Sequence, residues 1–210
     1  MAVKKQILER DSVVIKFAGD CGDGMQLSGT LFSDTAAFSG KDIATFPDYP
    51  AEIRAPHDTV AGVSGYQVHI GKETRIIGDE CDVLVAMNPA SLKANLKWVK
   101  KGGLIITDEN SYNERALEKA GYENNPLEDE SLSSYQVIHP QITTMASETA
   151  KALGLDPKGA ARTKNMFCLG MVYAIFDFSL ETPFKLLDKK FKSNKEDRKS
   201  TRLNSSHSLP

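Results

Sequence analysis

The chain has 210 residues, of which 40% are hydrophobic and 26% charged, with a formal net charge of −2 at pH 7. A chain of this length can bury one sizeable core, and its near-neutral charge without a Lys/Arg stripe excludes nucleic acid as an expected partner. No apolar run approaches the roughly 20 residues of a membrane helix, and the charged N-terminus is unlike a signal peptide, so we expect a cytoplasmic protein without a membrane partner.

The first elements are a strand, a glycine-rich loop and a helix. The β-branched run SVVIKFA (12–18) predicts the strand, and GDCGDGMQLSG (19–29) follows it directly. Helical spacing of apolar residues predicts a helix over Met25 to Phe38. KDIATF (41–46) is typical of a second strand. The proline-bracketed stretch 47–58 is a long loop, and loops of that length are often functional.

The middle of the chain predicts more strands around one helix. VAGVSGYQVHIG (60–71) and ETRIIG (73–78) alternate, which indicates an antiparallel hairpin turning at Gly71 and Lys72. CDVLVAMNP (81–89) and LIITDEN (104–110) are short apolar runs typical of buried parallel strands. Between them Pro89 opens a helix that runs to Val99 and ends at Gly102-Gly103. This unit predicts a right-handed parallel crossover.

The last third alternates helices with one short strand. SYNERALEKAGY (111–122) predicts an exposed helix, YQVIHP (135–140) a strand and TTMASETAKALGL (143–155) another helix. NMFCLGMVYAIFDF (165–178) is apolar on nearly every side, so we expect a helix buried in the core or beneath a partner subunit. LETPFKLLDKKF (180–191) closes the ordered part as an amphipathic helix. The fold class is α/β: a three-layer α/β/α unit whose mostly parallel sheet carries an antiparallel hairpin or edge.

The C-terminal segment differs in character from the rest. KSNKEDRKSTRLNSSHSLP (192–210) has no periodic apolar face, a composition typical of disorder. Within it, DRKSTRLNSSH (197–207) reads like one translated frame of a common sequencing adapter. We therefore expect one domain over residues 1–192 and a disordered, non-native tail over 193–210 that replaces the rest of a longer subunit. A solvated native tail is the alternative.

The glycine loop is the first candidate site. Gly19, Gly22 and Gly24 have the spacing G-x-x-G-x-G, which differs from the dinucleotide fingerprint, and no P-loop Lys-Ser/Thr follows them. Asp20 and Asp23 would stabilise a helix N-terminus themselves and repel a pyrophosphate. The loop therefore favours a tight turn or subunit docking over binding of a ligand's polar group, and either of these over NAD.

Two single residues are further candidates. Arg54, in a proline-braced loop, is suited to bidentate contact with a carboxylate or phosphate, although a salt bridge to Glu52 or Asp48 is the plainer interpretation. Asn88 follows a predicted parallel strand at the sheet edge where ligands bind in open α/β folds. Its plainer role is to cap the helix that begins at Pro89.

Other reactive residue types indicate no active site of their own. Lys164 and Asn165 precede the apolar helix, where capping or contact with a partner explains them. The histidines have no neighbouring nucleophile or metal-ligand spacing and are interpreted as structural or surface residues: His57, His69 and His139. The cysteines form no C-x-x-C pair and no iron–sulfur spacing: Cys21, Cys81 and Cys168.

Several long motifs in the same order carry a resemblance to a known family. They are IKFAGDCGDGMQLSG, FPDYPAEIRAP, DVLVAMNPASLKANL, GYENNPL and AKALGLDPKGAARTKNMFCLGMVY. Between about Val13 and Phe191 the chain resembles the N-terminal region of the alpha subunits of 2-oxoglutarate:ferredoxin oxidoreductases, within the 2-oxoacid:acceptor oxidoreductase family. Cys21, where a serine is expected, and His57-Asp58, where a small residue is usual, depart from the pattern.

The resemblance implies a gamma-type domain that covers an active site and is associated with coenzyme A access. Family members oxidatively decarboxylate a 2-oxoacid with coenzyme A to an acyl-CoA and carbon dioxide, and they reduce ferredoxin. The family's thiamine diphosphate, Mg²⁺ and iron–sulfur clusters would lie outside this fragment, which would bind no cofactor alone. Its implied partners are the thiamine-binding domain of the same subunit, the beta subunit and, through the complex, ferredoxin.

The same resemblance implies a face turned to the catalytic domain or to coenzyme A. Its residues would be the following: Gly19, Asp20, Gly22, Asp23, Gly24, Arg54, Asn88 and, at the start of the packing helix, Asn165. None of them would be catalytic or bind a metal. Two alternatives of other classes stay open, namely a stand-alone nucleotide-binding oxidoreductase domain and a pure assembly module that binds no ligand.

Overall fold

A computed structural model describes residues 9–20, 23–48, 62–71, 74, 80–156 and 163–190. Three short 3₁₀ turns, over 96–98, 109–111 and 130–132, connect the larger elements. The strands and helices follow in this order: β1 (Ser12–Asp20), α1 (Met25–Phe38), β2 (Asp42–Asp48), β3 (Val63–Gly71), β4 (Cys81–Ala86), α2 (Pro89–Asn95), β5 (Val99–Thr107), α3 (Glu114–Lys119), β6 (Gln136–Ile138), α4 (Ile142–Ala152), α5 (Lys164–Ile175) and α6 (Glu181–Lys190).

The strands form one sheet in the order β2-β3-β1-β4-β5-β6. β1, β4, β5 and β6 are parallel neighbours, whereas β3 is antiparallel to both β1 and β2. β3 is thus the one strand, among those the structure describes, that runs against the others. After β1 the chain builds β2 and β3 on one side, and it then crosses to build β4, β5 and β6 on the other. This change of direction creates a switch point between β1 and β4.

Helices cover both faces of the sheet, which confirms the predicted three-layer α/β/α fold. One apolar cluster joins the first face to α1, α4, α5 and α6, and a second cluster joins the opposite face to α2 and α3. Alternate residues of β1 supply the two clusters, with Ile15 and Phe17 on the first face and Val14 and Ala18 on the second. The sheet is therefore buried on both sides along its parallel strands, as their apolar runs indicate.

Phe32 lies at the centre of the first cluster. Its ring centroid is 5.5 to 5.9 Å from those of Phe17, Tyr173, Phe176 and Phe178. Aromatic pairs at such separations contribute beyond the area they bury. α1, β1, α5 and the turn after α5 are thus held together by one set of rings, so α5 is a core helix, as its all-round apolar character predicts.

The predicted end of the helix after Pro89 is wrong. The α-helix ends at Asn95, a 3₁₀ turn follows, and Gly102-Gly103 lie inside β5 instead of ending the helix. Between the pairs Cys81↔Val99 and Val83↔Leu104, one residue of β4 faces four of β5, which is a bulge. Gly102 has φ +75°, and a Cβ on Gly103 would lie 2.7 Å from the Lys100 carbonyl oxygen. The glycine pair therefore provides the backbone conformation and the close approach that the bulge requires.

The predicted hairpin at Gly71 is wrong in its pairing. β3 is antiparallel as expected, but β2 and β1 occupy its two edges over nearly its whole length. Both edges of β3 are thus occupied, and of residues 73–78, the predicted second arm of the hairpin, only Thr74 is described. The alternation in 60–71 indicates a strand correctly but carries no information about which neighbour pairs with it.

Other predicted elements are confirmed with shifted or identical bounds. α1 spans Met25–Phe38 as predicted, and the predicted strands and helices around β4, β6, α3, α4 and α6 are present. β4 and β5 are parallel neighbours. Most of the long proline-rich loop and the whole tail from residue 191 lie outside the described residues. Among the helices that the structure describes, none has both the length and the apolar character needed to cross a membrane.

Candidate functional site at the sheet switch point

The glycine loop lies at the switch point of the sheet. It joins the carboxyl end of β1 to α1, and Asn88 follows the carboxyl end of the neighbouring β4. The two strand ends are tied by the Met87 amide, which donates to the Ala18 carbonyl oxygen at 3.0 Å. In open α/β sheets the crevice at this position is where ligands and partners are bound. The fold therefore places the candidate residues at the edge expected of a functional site.

Asp23 closes the loop into a tight turn. Its amide donates to the Asp20 carbonyl oxygen at 3.0 Å, and its Oδ2 accepts from the Asp20 amide at 3.0 Å. Its other carboxylate oxygen forms a 2.8 Å ion pair with Lys164 Nζ at the start of α5. The carboxylate thus fixes the turn and also holds α5 against it. A role in the turn is the one that the sequence favours for this loop.

Asn88 caps α2 and also bonds to the glycine loop. Its Oδ1 accepts from the amide and the hydroxyl of Ser91, each at 2.8 Å, so the side chain caps α2. Its Nδ2 donates to Asp20 Oδ1 at 3.0 Å, which links the ends of β1 and β4. The capping interpretation is confirmed, and the same side chain also takes part in the loop cluster.

Gly24 and Asn165 meet across 141 positions of sequence. Gly24 has φ +76°, and the Asn165 Nδ2 donates to the Gly24 carbonyl oxygen at 3.4 Å. A Cβ added to Gly24 would lie 2.1 Å from that nitrogen, so only glycine fits. Asn165 Oδ1 accepts from the Met166 amide at 2.8 Å, which holds the side chain in this orientation at the start of α5.

The structure brings together six of the eight sequence-predicted site residues. They are Gly19, Asp20, Asp23, Gly24, Asn88 and Asn165. Gly22 and Arg54 lie outside the described residues. We call the six residues together with Lys164 the switch-point cluster. Within it the carboxylates of Asp20 and Asp23 face one ammonium group, so its described side chains carry an excess of negative charge.

Sequence reasoning missed two contributors to the cluster. Lys164 was singled out as a capping or contact residue, but nothing in the sequence indicates its ion pair with Asp23. Ser64, at the start of β3, donates from its hydroxyl to the Gly19 carbonyl oxygen at 3.4 Å. The sequence indicates only that Ser64 lies near a strand end. Its contact with Gly19 depends on the pairing of β3 with β1, which the local sequence does not determine.

The described cysteines have the properties of buried, unreactive thiols. Cys81 and Cys168 are both free and buried. Burial raises the pKa of the Cys81 thiol to about 11 and that of the Cys168 thiol to about 12, from an ordinary value of 9.0. Thiolates are the reactive form, so neither residue acts as a nucleophile near neutral pH. Within the described part of the chain no group of three or more His, Cys, Asp and Glu side chains is arranged to hold a metal ion.

We expect both thiols to resist alkylation by iodoacetamide at pH 8 in the folded chain and to react fully in guanidinium chloride. Peptide mapping by mass spectrometry measures each site separately. The raised pKa values also predict that the free energy of unfolding falls as the pH rises from about 9 towards 11, because only the unfolded thiols ionise there. Rapid modification of Cys168 in the folded chain would contradict this account.

Comparison with known proteins decides the family. Residues 14–204 match the family model described as pyruvate ferredoxin/flavodoxin oxidoreductase, and this span is most of the chain. The chain belongs to this family. The resemblance drawn from the sequence motifs is thereby confirmed, and the mostly parallel sheet with its antiparallel strand is the fold that the chain shares with the relatives below.

Three proteins similar to this chain are informative. The 2-oxoglutarate oxidoreductase subunit KorA of Mycobacterium tuberculosis H37Rv is 46% identical over 182 residues, which are 86% of this chain and 28% of KorA. A structure of 2-oxoglutarate:ferredoxin oxidoreductase from Magnetococcus marinus, with 2-oxoglutarate, coenzyme A and succinyl-CoA bound, matches with a TM-score of 0.69 and 27% identity. That match covers 94% of this chain and 30% of the solved chain.

The third relative has about the same length as this chain. The pyruvate oxidoreductase subunit PORC of Thermotoga maritima matches with a TM-score of 0.62 and 18% identity, and covers 95% of this chain and 96% of its own. At this identity the match shows the fold alone. The chain thus spans about three tenths of KorA and of the Magnetococcus chain, whereas the same fold makes up nearly all of the Thermotoga subunit.

Proposed function

We propose that this chain is part of a 2-oxoacid:ferredoxin oxidoreductase of the 2-oxoglutarate type. Such an enzyme converts a 2-oxoacid and coenzyme A into an acyl-CoA and carbon dioxide, and the electrons released reduce ferredoxin. The 46% identity to KorA over 86% of the chain supports the 2-oxoglutarate assignment. We propose that residues 1–192 form a gamma-type domain in the cytoplasm, that residues 193–210 are not native, and that the thiamine-binding domain follows in the full subunit.

Within that enzyme the domain supplies position and not reactive groups. The observation that carries this proposal is the switch-point cluster, whose side chains are bonded to one another. Asp23 is bonded to Lys164, Asp20 to Asn88 and Asn165 to Gly24. A cluster held together by these hydrogen bonds and this ion pair forms a preorganised surface at the edge where an α/β sheet binds its ligand. We propose that this surface covers the active site held by the other domains.

The charge of the cluster favours one part of coenzyme A over another. Two carboxylates against one ammonium disfavour the diphosphate and 3′-phosphate groups, because like charges repel in a partly dehydrated crevice. The uncharged pantetheine arm carries amide groups that can donate to Asp20 and accept from Asn88 or Lys164. We therefore propose that the pantetheine arm of coenzyme A contacts the switch-point cluster and that its phosphate groups bind outside this cluster.

The cofactors of the whole enzyme are proposed to lie outside this chain. In the described part of the chain no three His, Cys, Asp or Glu side chains are arranged to hold a metal ion, and the carboxylates of the loop do not suit a diphosphate. When bound in the complete complex, thiamine diphosphate with Mg²⁺ supplies carbanion stabilisation and iron–sulfur clusters carry electrons. The proposed partners are the thiamine-binding domain, the beta subunit and ferredoxin.

The proposal can be tested with two asparagines that both cap helices. Asn113 Oδ1 accepts from the Ala116 amide at 3.1 Å and caps α3, so it matches the capping role of Asn88 but not its bond to Asp20. In the full-length enzyme we expect Asn88→Ala to raise the KM for coenzyme A or to weaken subunit assembly, and Asn113→Ala to change neither. Equal effects of the two variants would remove Asn88 from the site.

Arg54 provides a second test, because it belongs to the face implied by the family resemblance. We expect Arg54→Ala in the full heteromeric enzyme to weaken the dependence on coenzyme A, or assembly, more than the binding of thiamine diphosphate. The measurements are the KM for coenzyme A, size-exclusion profiles and thiamine diphosphate affinity. Unchanged kinetics for every substrate would remove Arg54 from the proposed site.

The internal bonding of the cluster also favours a second candidate, a pure assembly module. In that case the purified chain binds its partner subunits, and coenzyme A never contacts the domain. Protection of the loop from hydrogen exchange by coenzyme A, beyond that given by the partner subunits, distinguishes the two functions. Micromolar binding of NAD(H) would instead support a stand-alone nucleotide-binding domain.

A further inference from the structure

A pocket of about 550 Å³ lies at the edge of the sheet opposite the switch-point cluster. It is bounded by the first residues of β1, β4 and β6, by the bulge of β5, by the end of β3 and by the turn after α5. β1 has nine residues, so at 3.3 Å per residue the pocket is about 26 Å from the glycine loop. The pocket is therefore distinct from the proposed coenzyme A edge.

We call this cavity the amino-edge pocket, because it lies at the amino ends of the parallel strands β1, β4 and β6. Its interior is apolar. Its strand residues lie on the face of the sheet that supports the main core, and two phenylalanine rings also line it. Those rings are stacked at 24° with centroids 6.4 Å apart. The apolar lining residues are Val13, Ile70, Val83, Leu104, Ile175, Phe176 and Phe178. Small-molecule sites are generally concave, mostly apolar and about 300–1,000 Å³ in volume.

The rim of the pocket is charged, with four cations and three carboxylates. Asp82 already accepts from the Val14 amide at 2.9 Å and pairs with Arg10 at 3.5 Å and Lys100 at 3.0 Å. Among the described residues Lys41 and Lys101 have no carboxylate partner. The other rim carboxylates belong to Asp11, which has an interaction of its own, and to Asp177.

Asp177, at this rim, has a left-handed backbone conformation. Its φ is +55°, and it ends α5 through bonds from its own amide to Ala174 O at 3.4 Å and from the Phe178 amide to Tyr173 O at 3.0 Å. Glycine is the usual residue at this position of a helix C-terminus, and asparagine is the next most common. Asp177→Asn therefore removes the charge while keeping a residue that tolerates the backbone.

We propose that the amino-edge pocket binds an organic monocarboxylate with an extended apolar body, of the size of a medium-chain fatty acid. The chain occupies the apolar interior, and the carboxylate lies at the rim, where Lys41 and Lys101 are the cations that lack a carboxylate partner among the described residues. A polyphosphate does not fit, because the two unpaired cations give too little positive charge and the interior is apolar. A hydrophobic cation is disfavoured by the net positive charge of the rim, where four cations outnumber three carboxylates.

The test is calorimetric titration of the full chain with decanoate. We expect saturable binding, about tenfold tighter for decanoate than for octanoate, because two more methylene groups are buried. Decyltrimethylammonium, with the same chain and opposite charge, and butyrate, with the same charge and no long chain, should not bind measurably. An absence of saturable decanoate binding, or equal binding of the cationic probe, would overturn the proposal.

Variants at the rim test the position of the carboxylate. We expect Lys41→Gln and Lys101→Gln each to weaken decanoate binding about threefold, Asp177→Asn to tighten it, and Lys151→Gln on the exposed side of α4 to leave it unchanged. Circular dichroism checks that each variant is folded. Asn88→Ala should not alter decanoate binding, so this proposal and the proposed function fail independently. Identical affinities for all the lysine variants and Asp177→Asn would overturn the assignment of the pocket.

Discussion

Phe32→Ala is expected to lower the free energy of unfolding by about 3–5 kcal/mol, the usual cost of removing a fully buried aromatic ring. Phe32 is completely buried, and four other rings lie within 6 Å of its centroid. Those rings come from β1, α5 and the turn after α5, so they cannot all collapse into the space left by the missing side chain. Urea denaturation followed by circular dichroism measures the loss.

Phe38→Ala is the matched control for this prediction. Phe38 ends the same helix, but 72% of its side chain is exposed. We expect its replacement to change the free energy of unfolding by less than about 0.5 kcal/mol, as is usual for surface substitutions. Both substitutions favour the helix in propensity, so a loss of similar size in the two variants would contradict a special role of the ring cluster in stability.

Gly24→Ala is expected to destabilise the chain by about 3 kcal/mol and to displace Asn165. One part of the cost, about 1–2 kcal/mol, comes from placing a Cβ in the left-handed region. The second part comes from the clash with the Asn165 side chain, whose Nδ2 would lie 2.1 Å from the new methyl carbon. Overpacking of this kind typically costs about 1–3 kcal/mol.

Gly40→Ala separates the two parts. Gly40 has φ +75°, nearly the same as Gly24, but a Cβ there would meet nothing within 4 Å. Its replacement should show the backbone cost alone. Combining Gly24→Ala with Asn165→Ala should recover part of the difference, because the clashing amide is then absent. Equal losses for Gly24→Ala and Gly40→Ala would show that the contact with Asn165 is not tight in solution.

Elements with strong local signals could be predicted from the sequence. The bounds of α1 follow from its apolar spacing and from the glycines on either side. β4 follows from a short apolar run that ends at Asn88-Pro89, where the structure places a cap. The family resemblance implied one face for Asn88 and the loop, and in the structure both follow strands at the carboxyl edge of the sheet.

Features that depend on distant residues could not be predicted. Gly102-Gly103 is consistent with both a helix end and a bulge, and only the pairing of β5 with β4 decides between them. The hairpin error has the same cause, since alternation in β3 does not say that β1 and β2 take both of its edges. In the candidate site the contacts of Asp23 with Lys164 and of Gly24 with Asn165 each join positions 141 residues apart.

The closing of the glycine loop by α5 has a consequence for biosynthesis. The loop leaves the ribosome before Lys164 and Asn165, which hold it and emerge more than a hundred residues later. Until then β1 and α1 can form only with the turn unsecured, because contacts of such large sequence separation arise late. The switch-point cluster can therefore be completed only after residues 164 and 165 have been translated.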